Sequence, residues 1–480
     1  MGMVSFRVSA AVCAMAVVPA VASAATDADV ESLRTQLAQM KAEYEQRIAA
    51  LEAEVQQLQT NSNVGATAAV NEADAAAAAP PAPPAPELPA APVIANASNP
   101  TAFNPAISLI LTGNYANLSR NPDNYAIQGF IPAGDEVGPG NRSFNLGESE
   151  ITIAANVDPY FMGNLTASIT GDNEISVEEA YFRTIALPFG FNAKGGQYLS
   201  GIGYLNDLHS HTWDFVDLPL VYQAFFNGQM AVQGGQVTWV APLDSVLMEF
   251  GVESGNGNYY PGTELTRNGL NGYNAYVHVG GDLGDTVAWR TGLSYADLHA
   301  DERPFDEPSP AGGDSTSAFT GSSKTWIVDG ELKWTPIGDQ RMQYLKVQGE
   351  YMQRREDGRL SYAYDLTDLT GPYSSDQSGW YAQAVYRFLP RWRVGARYDS
   401  LDSGHTKIGL VQDGDLRAQE FPLLMPGSPT RTSVMLDWSP TEFSRLRAQY
   451  AWDNASQGPT DDQFYLQYIM AIGAHGAHNF

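Results

Sequence analysis

The sequence predicts an all-β chain: a transmembrane antiparallel β-barrel of about 16 strands, preceded by an α-helical coiled coil. Three observations carry this prediction. From about residue 105 to Phe480, segments of roughly ten residues alternate apolar and polar side chains, the length and period of strands that cross a bilayer. The turns alternate as well. One is short and holds Pro or Gly-Asp; the next is usually long and rich in Gly, Asp, Asn and Ser. Finally, no run after residue 24 supplies the roughly 20 apolar residues a transmembrane helix needs.

Composition agrees with this class. The 480 residues are 44% hydrophobic, yet mean hydropathy is only −0.25, because barrel strands show lipid only every second side chain. The 24 Tyr and 9 Trp suit the aromatic girdles at the two interfaces. A formal charge of −27 argues against a nucleic-acid partner. No G-x-S-x-G, P-loop or H-E-x-x-H motif is present, and the adjacency of Ser210 and His211 is not a nucleophile–base geometry. The sequence therefore predicts neither an enzyme nor a cofactor.

The first element, residues 1–24, reads as a secretory signal. Arg7 is its charged start, Val8 to Val21 its apolar stretch, and Ala22-Ser23-Ala24 its cleavage site. Cys13, the only cysteine, lies inside it, so the mature chain is expected to have no disulfide or thiolate ligand. Residues 25–60 read as a periplasmic coiled-coil helix. Val30, Leu33, Leu37, Met40, Tyr44, Ile48, Leu51, Val55 and Leu58 recur at alternating intervals of three and four, with one stutter between Tyr44 and Ile48. A seam this narrow calls for a partner helix, and self-association as a trimer is the simplest form. Residues 61–104 are an Ala/Pro-rich linker. Pro80, Pro81, Pro83, Pro84, Pro86, Pro89 and Pro92 favour an extended polyproline spacer.

The barrel occupies 105–480. Seven short turns are predicted at 157–160, 187–190, 241–244, 283–285, 335–339, 389–391 and 439–442. Eight external connections are predicted at 118–144, 171–173, 200–232, 255–271, 298–323, 356–377, 401–430 and 454–462. Leu360 and Tyr362 keep the alternation alive inside 356–366, so a hairpin could continue there beyond the membrane. Both barrel ends then lie on the periplasmic side. The last strand puts Phe464, Leu466, Tyr468, Met470 and Ile472 on one face and ends at Phe480. Such an ending is a signal for the barrel-assembly machinery.

Alternation also assigns faces. Trp392, Val394, Ala396 and Tyr398, then Val434, Leu436 and Trp438, and Leu446, Ala448, Tyr450 and Trp452 are assigned to lipid. Their neighbours are assigned to the lumen. Arg387, Arg391, Arg393, Arg397, Arg445 and Arg447 form an arginine wall, accompanied by Asp399, Asp437 and Asp453. Earlier strands contribute an acidic wall of Glu148, Glu150, Glu249, Glu253, Asp329 and Glu331, with Lys346 and Glu350 between the two. A charge facing mid-bilayer lipid costs about 2–4 kcal/mol, which favours the inward choice. Opposed walls across a water-filled pore would create a transverse field that orients polar solutes.

The connection 200–232 is too apolar for a solvated loop: Trp213, Phe215, Leu218, Leu220, Val221, Tyr222, Phe225 and Phe226 want burial. It is predicted to fold into the lumen as a constriction or plug. It also carries Asp207, His209, His211, Asp214 and Asp217. His209 and His211, with nearby carboxylates, are candidate ligands for Zn²⁺ or another divalent ion.

The layout of leader, coiled coil (Leu33 to Leu58), Pro/Ala linker and barrel resembles phosphate-selective-type porins and related siderophore porins. The segments FNPAISLILTGNYANL, LGESEITIAANVDPYFMGNLTASI and GYLNDLHSHTWDFVDLPLVYQAFF also resemble a proteobacterial family often labelled TonB-dependent receptor. Receptors of that kind have about 22 strands and a plugged lumen; here a coiled coil and linker stand where their plug domain would be. The resemblance implies a barrel in the outer membrane of a Gram-negative bacterium, in contact with its lipid. It implies a channel for passive or facilitated uptake of small polar solutes. The alternatives are a gated receptor for a metal or metallophore (zinc or iron), and a structural barrel tethering the outer membrane to the cell wall.

Overall fold

Strands follow one another in chain order and close on themselves in the computed structural model. They are β1 (Ala106–Leu118), β2 (Ser143–Leu146 continued by Ser149–Asn156), β3 (Phe161–Ile169), β4 (Ile175–Thr184), β5 (Phe191–Leu199), β6 (Ala231–Val240), β7 (Leu247–Gly255), β8 (Gly272–Leu283), β9 (Val287–Pro308), β10 (Asp314–Trp334), β11 (Tyr344–Ser361), β12 (Thr370–Leu389), β13 (Trp392–Ile408), β14 (Thr430–Thr441), β15 (Ser444–Asp453) and β16 (Asp461–Gly473). The two segments of β2 pair with successive stretches of β1, so seventeen strand segments make sixteen strands. On its other side β1 pairs with β16, Leu111 opposite Met470, and no sheet edge remains.

The barrel belongs to the unit Ala85–Phe480. The structure describes residues 105–473, except 135–136, 172–173, 265–267, 311, 364–366 and 368. The expected signal (1–24), coiled coil (25–60) and linker (61–104) lie outside the described residues, as does Phe480.

Burial alternates with strand period. On β13, Val394 and Tyr398 are both 42% exposed, whereas Arg393 and Arg397, each directly before one of them, are 5% and 2% exposed. On β14, Leu436 is 43% exposed and Asp437 fully buried. Every strand shows at least one large apolar side chain on the outside, such as Ile153 on β2, Phe182 on β4, Val328 on β10 and Leu466 on β16. A continuous apolar ring of this kind has no counterpart on a soluble protein, whose exposed patches stay small.

The seven short turns join strands where the sequence places them. Three long connections differ from expectation, one of them only at its start: in 401–430 the strand runs on to Ile408. Residues 298–323 are not a loop: β9 runs to Pro308 and β10 starts at Asp314. The reading failed there because outward side chains, such as Glu302 and Asp306, are charged where apolar ones were sought. Inward residues Arg303, Phe305 and Phe319 are nevertheless buried, and a bulge between Ala300 and Arg303 interrupts the alternation. Likewise β11 continues to Ser361 and β12 begins at Thr370, extending the hairpin as Leu360 suggested. These extensions enclose a second apolar core, in which Phe305, Phe319 and Tyr373 meet Leu410, Phe421 and Leu424 of the 409–429 connection.

Arg391 corrects the assignment of faces. It stands in the β12–β13 turn itself, exposed, with φ of +73°, and is not part of the wall. A residue with a Cβ at positive φ carries strain of about 1 kcal/mol that Gly relieves. Arg391→Gly is therefore expected to leave stability unchanged or raise it by up to about 1 kcal/mol. Denaturant unfolding in detergent checks this; a loss above about 1 kcal/mol would return Arg391 to the wall.

Candidate functional site

The segment 200–230 turns inward and packs inside the barrel. Its base is closed by Asn206, whose side-chain amide donates to the Ser200 and Met230 carbonyls and whose Oδ1 accepts from Met230 N, each at 2.8 Å. Beyond this clamp, Leu205, Leu218, Val221, Tyr222, Phe225 and Phe226 form one core with lumen-facing Ile327, Met352, Tyr381 and Leu401. A short helix, α1 (Leu220–Phe226), is buried on all sides. It starts after Pro219, and its first N–H is held by Asp399 Oδ1 at 3.0 Å.

The loop meets the arginine side of the lumen through its own carboxylates. Asp214 lies 2.5 Å from Lys346 Nζ and 2.9 Å from Arg393 Nη1. Asp217 lies 3.0 Å from Arg397 Nη2 and 2.6 Å from Arg431 Nη1. Arg447 and Arg445 donate to loop carbonyls: Arg447 to that of Trp213 at 2.6 Å, Arg445 to those of Trp213 and His211 at 3.3 and 3.4 Å. Behind the loop, Asp437 is shared by Arg393 and Arg447. Arg387 turns to the carbonyls of Gln340 and Arg341 at the short-turn end. Burial works against the charge of Asp214, but Lys346 and Arg393 outweigh it and hold its carboxyl far below the usual range. Asp217 is likewise lowered against burial, by Arg397 and Arg431.

Glu350, between the walls, and residues of the acidic wall hold the loop as well. Glu350 accepts from Tyr204 N, Leu205 N, Tyr222 Oη and Tyr381 Oη at 2.7–3.3 Å. Glu253 accepts from Ser200 Oγ at 2.5 Å and Gly201 N at 2.9 Å. Glu148 accepts from Ser210 Oγ at 2.6 Å. Glu150 lies between the two histidines, 3.3 Å from His209 Nδ1 and 2.9 Å from His211 Nδ1. Asp329 is buried, while Glu249 and Glu331 are half-buried. Asp207 is exposed, and Trp213 donates from Nε1 to the Leu208 carbonyl at 2.7 Å.

What remains open is a cavity of about 710 Å³ between the loop and strands β1 to β5 and β16. Its lining holds the carboxylates of Asp123, Glu148, Glu178 and Asp217 and the imidazole of His211, and no Arg or Lys among the described residues lines it. This corrects the picture of opposed walls facing one pore. Arg393, Arg397, Arg445 and Arg447 do point inward, but the loop covers them; the acidic Glu249, Glu253, Asp329 and Glu331 do not line the cavity either.

Three functional residues escaped the sequence reading. Arg431 follows directly on the predicted 401–430 connection and carries no face assignment, yet it is 1% exposed and grips Asp217. Glu178 and Glu179 were missed because adjacent strand residues should face opposite ways. A β-bulge at Glu178, where Thr166 pairs with Glu179 and Ala167 with Val177, turns both carboxylates inward. Both reach His209: Glu178 Oε2 lies 3.2 Å from Nδ1 and Glu179 Oε2 3.3 Å from Nε2. Burial opposes a charge on His209, but its contacts with Glu178, Glu179 and Glu150 prevail and raise its pKa well above the ordinary value.

A closed 16-stranded antiparallel barrel, apolar outside and holding an inward-folded loop, is the class that fold and site define. No family model matches the sequence. A protein of Aquifex aeolicus (strain VF5), described as uncharacterized, is 33% identical over 415 residues, 79% of this chain and 80% of that protein. The chain belongs to the same family as that protein. Solved structures similar to the barrel include a loop L8 deletion mutant of OmpT, an outer membrane protein of Vibrio cholerae (12% identity, TM-score 0.48, covering 77% of this chain and 100% of that one). The outer membrane channel DcaP of Acinetobacter baumannii is another (13%, 0.46, 77% and 97%). The anion-selective porin from Comamonas acidovorans is a third (9%, 0.47, 77% and 100%).

Proposed function

We propose that the chain is an outer-membrane channel for small polar solutes, passing cations in preference to anions beside a loop that narrows its lumen. The ring of exposed apolar side chains on all sixteen strands supports the membrane setting. The carrying observation is the cavity itself: about 710 Å³ and lined by the carboxylates of Asp123, Glu148, Glu178 and Asp217 without Arg or Lys among the described residues. The loop's own carboxylates neutralise the arginine side, so the field left in the opening is that of the acids. The purified full chain in planar bilayers is expected to conduct and, in a KCl gradient, to give a zero-current potential of the sign for K⁺ preference. Glu148→Gln/Glu178→Gln is expected to lower that preference several-fold. Absence of conductance, or a chloride preference, would overturn the proposal.

A gated receptor for a metal or metallophore is the second reading. The observation favouring it is that both walls hold the loop, Asp214 and Asp217 on one side and His209 and His211 on the other. A channel silent in KCl but opened by a metal complex would select it.

A further inference from the structure

The two sides of the inward loop are held by opposite chemistry. On the arginine side, each loop carboxylate meets cations. On the β2–β4 side, four wall carboxylates, Glu148, Glu150, Glu178 and Glu179, converge on His209, Ser210 and His211. Lys194 acts on Glu179, and its Nζ lies over the rings of Tyr181 and Tyr198. Two imidazoles thus stand against four acids, an arrangement that a divalent cation would neutralise.

We propose that His209 of the loop, with Glu150 of β2 and Glu178 of β4, forms a divalent-cation site of zinc type that fastens the loop to the barrel wall. One ligand atom from each of the three lies within 4.8 Å of the others. His209 Nδ1 is 3.3 Å from Glu150 Oε2 and 3.2 Å from Glu178 Oε2. Donors about 2.1 Å from a tetrahedral ion stand about 3.4 Å apart, so these two separations match edges of such a site. The donor set of one imidazole and carboxylates is one that Zn²⁺ accepts. A fourth position can be taken by water or by His211, which shares Glu150 through its other oxygen, while Glu179 on Nε2 orients the ring from outside the site. The stacked rings of His209 and His211, 6.0 Å apart, place both imidazoles on the same carboxylate. Entry is open, since Glu178, Glu148 and His211 line the cavity.

This inference concerns binding and holds whether or not the barrel conducts. Its alternative is a protonated His209 donating to the same carboxylates. The test uses the folded full-length protein in detergent, dialysed against ZnCl₂ and assayed for metal content. Co²⁺ substitution then reports N/O ligation by its visible bands. One Zn²⁺ per chain is expected. His209→Ala should weaken it at least tenfold and Glu178→Gln several-fold, while His405→Ala, an exposed control, should bind as wild type. Heat-modifiable migration shows that each variant is folded. No zinc above background in the wild type, or wild-type affinity in both His209→Ala and Glu178→Gln, would overturn the site.

Discussion

Replacing residues 207–228 by a short Gly-Ser link raises single-channel conductance several-fold. The boundaries follow from the base of the loop. Asn206 ties Ser200 to Met230 and survives the excision, so β5 and β6 keep their closure. What is lost is α1 and its flanks, which fill the lumen with Leu218, Val221, Tyr222, Phe225 and Phe226. A helix with its side chains is about 10–12 Å across. A 16-stranded barrel without such a filling leaves an aqueous channel. The wall exposed by the excision carries Arg393, Arg397, Arg431 and Arg447, so the second expected effect is a shift of ion preference towards anions. Both are read in planar bilayers, from step size and from the zero-current potential. Unchanged conductance would mean that the loop does not limit the path.

Much of this was legible in the sequence because lipid and lumen impose a strict period of two. Val394 and Tyr398 could only be outside once Arg393 and Arg397 were inside. The apolar excess of 213–226 likewise marked a buried loop. Legibility ended where that rule stopped applying. Beyond the bilayer, β9 and β10 face water on the outside, so Glu302 and Asp306 hide a strand. At the bulge, Glu178 and Glu179 break the alternation and both face inward. At a turn, Arg391 has no face at all. Electrostatics were hardest to read. Charge pattern revealed two walls, but only the folded loop shows that Asp214 and Asp217 cover one of them and that, of the acidic one, Glu148 alone lines the cavity.

Changing Asp214 and Asp217 together to Asn releases the loop without removing it. Each carboxylate is the loop's half of a buried ion pair: Asp214 with Lys346 and Arg393, Asp217 with Arg397 and Arg431. Removing one partner of a buried pair costs about 3–5 kcal/mol, because the remaining charge is left buried and unmatched. Here that cost falls on the inward conformation alone. Once the loop swings out, water reaches the arginines. The two losses share neighbours and will not add fully. About 5.5 kcal/mol nevertheless suffices to carry an equilibrium from 1:99 to 99:1. The double variant is therefore expected to dwell mostly at the conductance of the excised protein, and each single variant to flicker between the two levels. Arg355→Ala, which breaks the exposed pair with Asp376, is the matched control. Exposed pairs are worth about 0–1 kcal/mol, so its trace should equal wild type. If the double variant instead keeps a steady wild-type level, the apolar contacts of Leu218 to Phe226 hold the loop by themselves and the ion pairs are not its latch.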